Sequence, residues 1–251
     1  MAVNKRLPSY FTSLPPFLKY FGSGFPIITY HNVAPRPRGA RIRGLYLDPK
    51  LFDAQLRELQ AAGFCSATLE EARVYAPGLN RRVVLTFDDG LREAYRQTFP
   101  RLQRYGFRAI QFLVADRIGS YNHWDTLLGE VEEPLMNAEE IREWLAAGHE
   151  IGSHTLTHPH LCELPPAAAA EEIASSKKKL EDRFGLPVKH FCYPYGEFND
   201  RIVAEVANAG YLTACTVNPG INTAETPPHR LCRIMARHPT RNLRRLYSRF
   251  Q

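Results

Sequence analysis

Short runs of apolar, β-forming residues alternate with amphipathic stretches from Phe25 to the end of the chain. Such runs predict strands because they are short and rich in β-branched and aromatic residues. The predicted strands cover residues 25–31, 81–87, 108–114, 149–154, 189–195 and 212–217. The alternation with amphipathic stretches predicts βα units and a largely parallel sheet.

The amphipathic stretches carry helix start and stop signals. Asp48 as N-cap before Pro49 opens one helix, and Asn137 with Glu140 three residues later forms a capping box for another. Glycines that follow the last apolar position predict the helix ends. One predicted helix starts at residue 49 and ends before Gly63. The other predicted helices cover residues 91–105, 138–147, 165–184 and 200–209.

About seven strands, each followed by a helix, predict an α/β protein with a single-domain, distorted (β/α) barrel. An open, doubly wound sheet satisfies the same pattern. A chain of 251 residues suits one large domain. We expect residues 1–24 to form an N-terminal extension and residues 25–251 to form the barrel domain.

Polar clusters stand at the ends of three of the predicted strands. Asp88 and Asp89 follow the strand 81–87, His154 ends the strand 149–154 with His158 four residues later, and the sequence YPYG (193–196) ends the strand after that. Both candidate architectures bring the carboxyl ends of parallel strands to one rim. Two histidines and a carboxylate suit zinc or another divalent metal if the turn between the histidines is helical. Because successive side chains diverge, one aspartate would bind the metal and the other would address its water.

Composition narrows the location and the partners. Five cysteines without a C-x-x-C pair indicate reduced thiols. The sequence shows no signal peptide and no apolar run long enough for a transmembrane helix. We therefore expect a cytoplasmic protein, either free or peripheral at the inner membrane face.

The net charge of +6 comes largely from basic stretches at residues 36–44 and 230–250. These stretches indicate either a solvated surface or contact with an anionic membrane surface or a phosphate-linked sugar. No nucleic-acid-binding motif accompanies them, so no specific nucleic-acid partner is expected.

Three motifs resemble those of the polysaccharide deacetylase family, the NodB-homology carbohydrate esterases of family four. They are TFDDG (86–90), SHTLTH (153–158) and YPYG (193–196), and the segments PIITYHNV and FDAQLRELQAAGF are also similar to family segments. The resemblance implies a distorted barrel that removes an acetyl group from an N-acetylated sugar with a divalent metal, usually zinc. It also implies that Asp88 is the general base and that Asp89, His154 and His158 hold the metal.

The third motif implies further roles. The backbone N–H of Tyr195 would stabilise the oxyanion, and Pro194 and Gly196 would shape the loop around it. Many family members carry arginine where this chain has Cys192, and Arg233 is the candidate replacement.

Two other family motifs have no clean match. His31 and His238 are alternative candidates for the general acid, and Trp124, in NHWD (122–125), is a candidate for covering the sugar. A catalytically silent carbohydrate-binding relative and a deacylase of a non-polymeric amide are therefore the alternative functions.

Overall fold

The computed structural model describes residues 7–74, 81–126 and 129–237. Ten strands are present in these residues: β1 (Ile27–Tyr30), β2 (Asn32–Val33), β3 (Tyr46–Leu47), β4 (Cys65–Ser66), β5 (Arg82–Phe87), β6 (Ile110–Leu113), β7 (Glu150–Ser153), β8 (His190–Cys192), β9 (Thr213–Cys215) and β10 (Ile234–Met235). The α-helices are α1 (Leu18–Phe21), α2 (Pro49–Ala61), α3 (Leu69–Val74), α4 (Arg92–Tyr105), α5 (His123–Thr126), α6 (Ala138–Ala146), α7 (Pro166–Phe184) and α8 (Asp200–Asn208).

One curled parallel sheet organises the chain. Its strands follow the order β10-β1-β5-β6-β7-β8-β9, β4 also pairs with β5, and β2 and β3 form a separate parallel pair. Leu231 bridges to Cys215 in β9, and three residues later β10 pairs with β1. The segment 231–235 therefore connects the two edges of a half-barrel. The predicted distorted barrel is confirmed, and the open, doubly wound alternative is not.

The helix boundaries follow the predicted caps. The Asp48 side chain accepts a hydrogen bond from the Lys50 N–H, and Asn137 and Glu140 form both halves of the capping box. Gly106 ends α4 in the left-handed conformation, with φ at +70°. Each cap satisfies backbone groups that the helix itself leaves unpaired.

The strand predicted over residues 189–195 is shorter in the structure. β8 ends at Cys192, and Pro194–Gly196 form a 3₁₀ turn. Pro194 has no N–H to donate to a strand ladder, and Tyr195 adopts a left-handed conformation with φ at 59°. The strand prediction was therefore wrong at its end, where the chain turns into the candidate site.

The sheet carries an apolar layer on each face, one inside the barrel and one beneath the helices. Alternate residues of one strand belong to different layers: Ile27 packs with Phe112 inside the barrel, whereas Ile28 belongs to the layer beneath the helices. This alternation follows from the two-residue period of a strand. The polar residues at the carboxyl ends of the strands lie above the inner layer.

Residues 7–24 pack on the barrel. Phe11, Phe17 and Phe21 are buried in the outer layer, and Phe11 forms a parallel bridge with Ala236 just beyond β10. The boundary at residue 24 stays a prediction. None of the helices in the described ranges is long and apolar enough to cross a membrane.

Candidate active site

The two adjacent aspartates after β5 point to different partners. Asp88 and Asp89 are 2% and 6% exposed. Asp89 has φ at 74° and Gly90 has φ at 73°, so the chain turns sharply after the strand. A Cβ at Gly90 would lie 2.8 Å from the side chain of Leu113, so the turn requires glycine for space as well as conformation. The turn separates the two carboxylates.

Asp89 meets both predicted histidines. Its Oδ1 lies 3.4 Å from His154 Nε2 and 3.5 Å from His158 Nε2. One ligand atom from each residue lies within 4.8 Å of the other two, and all three side chains are buried. His154 Nδ1 lies 2.8 Å from the Cys192 carbonyl oxygen, so an N–H there leaves the Nε2 lone pair directed at the cluster. The backbone carbonyl thus orients the imidazole of His154. Two imidazoles and a carboxylate fit a divalent metal such as zinc.

The turn between the histidines is not helical, which corrects the expectation from their spacing. Thr155 and His158 have φ at 70° and 67°. The His158 N–H donates to Thr155 Oγ1 at 3.0 Å. Glu172 in α7 accepts hydrogen bonds from the N–H groups of Leu156 and Thr157, at 2.9 and 3.0 Å. Tertiary contacts, rather than a helical period, therefore bring the two imidazoles together.

Arg233 occupies the position next to Asp88. Its two terminal nitrogens donate to Asp88 Oδ1 at 2.7 Å and Oδ2 at 2.8 Å, and its Nε donates to the Thr216 carbonyl oxygen at 2.8 Å. Nη2 also lies 3.1 Å from Cys192 Sγ. Arg233 is 1% exposed, and it lies within the segment 231–235 that joins the sheet edges. The guanidinium that the third motif lacks is thus supplied by a residue 41 positions after Cys192.

The ionisation of the buried groups follows from these contacts. Burial alone would raise the pKa of Asp88, but the Arg233 guanidinium, with a smaller contribution from His31, holds that pKa well below its ordinary value. Burial, together with the charge of His154, lowers the pKa of His158 to about 3. Burial raises the pKa of the Cys192 thiol to about 11. Asp88 is therefore ionised, and the imidazole of His158 is neutral, at neutral pH.

A cavity of about 230 Å³ opens over these residues. His31 lines it, with Nε2 3.7 Å from Asp88 Oδ2. The predicted site residues that line the cavity are His31, Asp88, Asp89, Trp124, His154, His158, Tyr195 and Gly196. Pro194 is buried beside them without lining the cavity, and His238 lies outside the described residues.

Aromatic rings form one wall of the cavity. Trp124 stacks on His158 with a centroid distance of 4.6 Å, and the Tyr195 ring stacks on His160 at 3.9 Å. His160, two residues after the SHTLTH motif, has its Nδ1 2.9 Å from Glu197 and does not join the group of Asp89, His154 and His158. A Cβ at Gly196 would lie 2.2 Å from a Val217 methyl group, which explains the glycine next to Tyr195.

Asp125, which the sequence offered with Trp124 as a residue of a loop over the sugar, also lines the cavity. It is 8% exposed and follows Trp124 directly. Burial and the neighbouring charges, Asp89 first among them, raise the pKa of Asp125 to about 7. Its place in the NHWD segment was the available signal.

Comparisons with known proteins point to one family. The family model described as "Polysaccharide deacetylase" matches residues 76–214. The chain is 27% identical over 213 residues to YxkH of Bacillus subtilis, a protein named after the same family, and this match covers 83% of the chain and 70% of YxkH. It is 25% identical over 235 residues to the poly-beta-1,6-N-acetyl-D-glucosamine N-deacetylase of Staphylococcus epidermidis, covering 87% of the chain and 81% of that enzyme.

The crystal structure of BC0361, a polysaccharide deacetylase from Bacillus cereus, has a similar fold. It is 26% identical to this chain with a TM-score of 0.72, and the match covers 90% of this chain and 69% of BC0361.

Proposed function

The chain belongs to the polysaccharide deacetylase family, and from this premise we propose that it is a metal-dependent hydrolase that removes acetyl groups from an N-acetylated carbohydrate. The observation that carries the proposal is the convergence of Asp89, His154 and His158 on one point beside an ionised Asp88. A divalent metal held there, zinc by the chemistry of its donors, supplies a Lewis acid for the amide carbonyl and lowers the pKa of water.

Asp88 is proposed as the general base. Its carboxylate accepts the proton of the water whose oxygen attacks the amide carbonyl carbon. Arg233 holds both oxygens of Asp88 by two hydrogen bonds and is proposed as the positioning residue for this base. A fixed, ionised carboxylate at the cavity wall supports this assignment.

Tyr195 and His31 are proposed to act on the two sides of the amide. The backbone N–H of Tyr195 donates to the carbonyl oxygen as negative charge develops on it. As the C–N bond breaks, His31 gives a proton to the leaving nitrogen, which yields acetate and an amine. The position of His31 in the cavity, 3.7 Å from Asp88, supports it as the acid. His238, the other candidate, lies outside the described residues.

The substrate is proposed to be an N-acetylated sugar polymer, as the name of the Staphylococcus epidermidis relative indicates for that enzyme. The cavity of about 230 Å³ is smaller than pockets for drug-sized ligands, which measure roughly 300–1,000 Å³. It therefore suits one sugar unit, with the rest of a polymer outside. Trp124 is proposed to cover that unit.

The location and the remaining partners are also proposals. All five cysteines are free thiols in the structure, which supports a cytoplasmic protein in a reducing environment. Contact with an anionic membrane surface or with a phosphate-linked sugar has its support in the basic stretches of the sequence. A catalytically silent binder was considered mainly because the third motif has Cys192 in place of arginine. Arg233 supplies a guanidinium next to Asp88, so this observation no longer favours that alternative.

Acetate release tests the proposal. Metal-stripped protein is incubated with a panel of N-acetylated sugars and oligomers, with and without zinc, and the metal content is measured by elemental analysis. Zinc-dependent acetate is the expected result. Metal binding without acetate from the whole panel would favour the silent binder.

Variants separate the proposed roles. Asp89→Asn and His154→Ala should lose metal and activity together, whereas Asp88→Asn should keep the metal and lose about 10²- to 10⁴-fold in rate. His123→Ala is the control, because His123 pairs with the exposed Glu132 outside the cavity. Equal metal loss in the Asp88, Asp89 and His154 variants would reject this division of roles.

A further inference from the structure

The cavity contains an acidic residue that the proposed reaction does not use. Asp125 lines the same cavity as Asp88 and Asp89 and is more than nine-tenths buried. It belongs to α5, in the segment between α4 and α6. A buried carboxylate needs hydrogen bonds or an opposite charge to offset the loss of its hydration. Its partners therefore indicate what the cavity is built to bind.

The Asp125 carboxylate is held in one orientation by Asn122. The Asn122 Nδ2 donates to Asp125 Oδ2 at 3.0 Å, and Asn122 Oδ1 accepts from the Glu133 N–H at 2.5 Å. Because Oδ1 must face that donor, the Asn122 amide presents its nitrogen to Asp125. The Asp125 N–H and carbonyl are also bound, to the backbone of Asn122 and Glu130. Asp125 is thus a rigid part of the cavity wall.

The second oxygen of this carboxylate has no hydrogen-bond donor in the described part of the chain. Within residues 7–74, 81–126 and 129–237, Asp125 Oδ1 accepts no hydrogen bond, and no lysine, arginine or histidine pairs with Asp125. Asp88, in the same cavity, has the Arg233 guanidinium on both of its oxygens. The charged groups nearest to Asp125 are other acids, Asp89, Glu130 and Glu133.

These contacts describe an acceptor that is oriented, buried and available to a ligand. A carboxylate accepts hydrogen bonds from hydroxyl groups and repels phosphate and carboxylate groups. We propose that Asp125 Oδ1 accepts a hydrogen bond from a hydroxyl group of the bound sugar, and that it selects neutral N-acetylated sugars against sugars carrying an anionic group near the acetamide. This inference rests on the proposed deacetylase function and names the substrate class of the same site.

The test is made at pH 8.5, above the pKa of about 7 of Asp125. It compares two substrates of equal length: a neutral N-acetylglucosamine oligomer and an N-acetylated oligomer whose units carry a carboxylate. Zinc-loaded wild type should show at least about tenfold higher kcat/KM on the neutral oligomer. Asp125→Ala should lower kcat/KM on the neutral oligomer about 10- to 100-fold, the range for a lost hydrogen bond to a charged group. The loss should lie mainly in KM.

Asp125→Asn keeps the bond from Asn122 and the shape of the side chain but removes the charge. It should retain more activity on the neutral oligomer than Asp125→Ala, and it should reduce the preference for the neutral over the anionic oligomer. Glu132→Gln is the matched control: it removes one charge from the same segment, at an exposed residue that pairs with His123 outside the cavity. This control should match wild type on both oligomers.

Binding provides a readout that does not depend on turnover. In the Asp88→Asn background, Asp125→Ala should weaken calorimetric binding of the neutral oligomer by a similar factor while the zinc content stays constant. Unchanged binding and unchanged kcat/KM in Asp125→Ala would overturn the inference while leaving the deacetylase proposal intact. A wild type that prefers the anionic oligomer would also overturn it and would favour a phosphate-linked or acidic sugar. A wild type that releases no acetate from either oligomer would reject the proposed function itself.

Discussion

Arg233 allows the sharpest test of how the base is held. Replacing it by Met keeps an unbranched side chain but removes every hydrogen bond to Asp88. The two side chains are 1% and 2% exposed, so water cannot replace the guanidinium without a change in structure. The substitution therefore leaves a buried carboxylate without an opposite charge.

The expected loss in the free energy of unfolding is about 3–5 kcal/mol, the cost of removing one partner from a buried ion pair. Asp88→Asn in the same chain removes the unpaired charge. The double variant should therefore be less destabilised than the sum of the two single variants, with a coupling of about 0.5–3 kcal/mol.

The assay is urea unfolding of metal-free protein at pH 7 for wild type, both single variants and the double variant, with linear extrapolation to water. Arg230→Met is the matched control, because Arg230 pairs with Asp200 in an exposed ion pair whose side chains are 40% and 94% accessible. This control should cost at most about 1 kcal/mol. The reasoning is refuted if Arg233→Met costs as much with Asn at residue 88 as with Asp, or no more than the control.

Three further predictions concern the surroundings of the site. Glu172→Gln should weaken zinc binding about 10- to 100-fold, because the loop between the histidines loses its anionic acceptor. Competition with a chelator measures this loss, and the control Glu171→Gln, at an exposed residue of the same helix, should bind zinc like wild type. Gly196→Ala should lower the thermal midpoint of unfolding, because a Cβ there would lie 2.2 Å from Val217 and φ is positive. Adding Val217→Ala should remove the clash but not the strain from the positive φ. An unchanged midpoint in Gly196→Ala would contradict this. Because Arg233 lowers the pKa of Asp88, the pair stabilises the folded state fully above about pH 4, the ordinary carboxyl pKa, and this contribution is lost as the pH falls further. Asp88→Asn should therefore flatten the acid side of the stability profile measured by urea unfolding, and an unchanged slope would count against the pair.

Local signals predicted most of the secondary structure and the three polar clusters, whose residues line one cavity. Caps such as Asp48 and Asn137 act through hydrogen bonds within a few residues, so they can be read from sequence. The convergence of Asp88, Asp89 and His154 was also predictable, because parallel strands present their carboxyl ends on one rim. The left-handed conformation of Tyr195 beyond β8 was not predicted, and it occurs where Gly196 approaches Val217 closely in the folded chain.

The sequence by itself determined the alternating elements, the parallel sheet and the residue types available for a metal and a base, because these depend on short-range periodicity and on motif chemistry. Only the tertiary structure decided which distant groups complete the site. Arg233 reaches Asp88 across 145 residues because the chain joins the two edges of the sheet there. Asp125 became a cavity residue because Asn122 and the segment around it are held against the barrel. Such contacts depend on closure and packing of the whole chain, which no local pattern encodes.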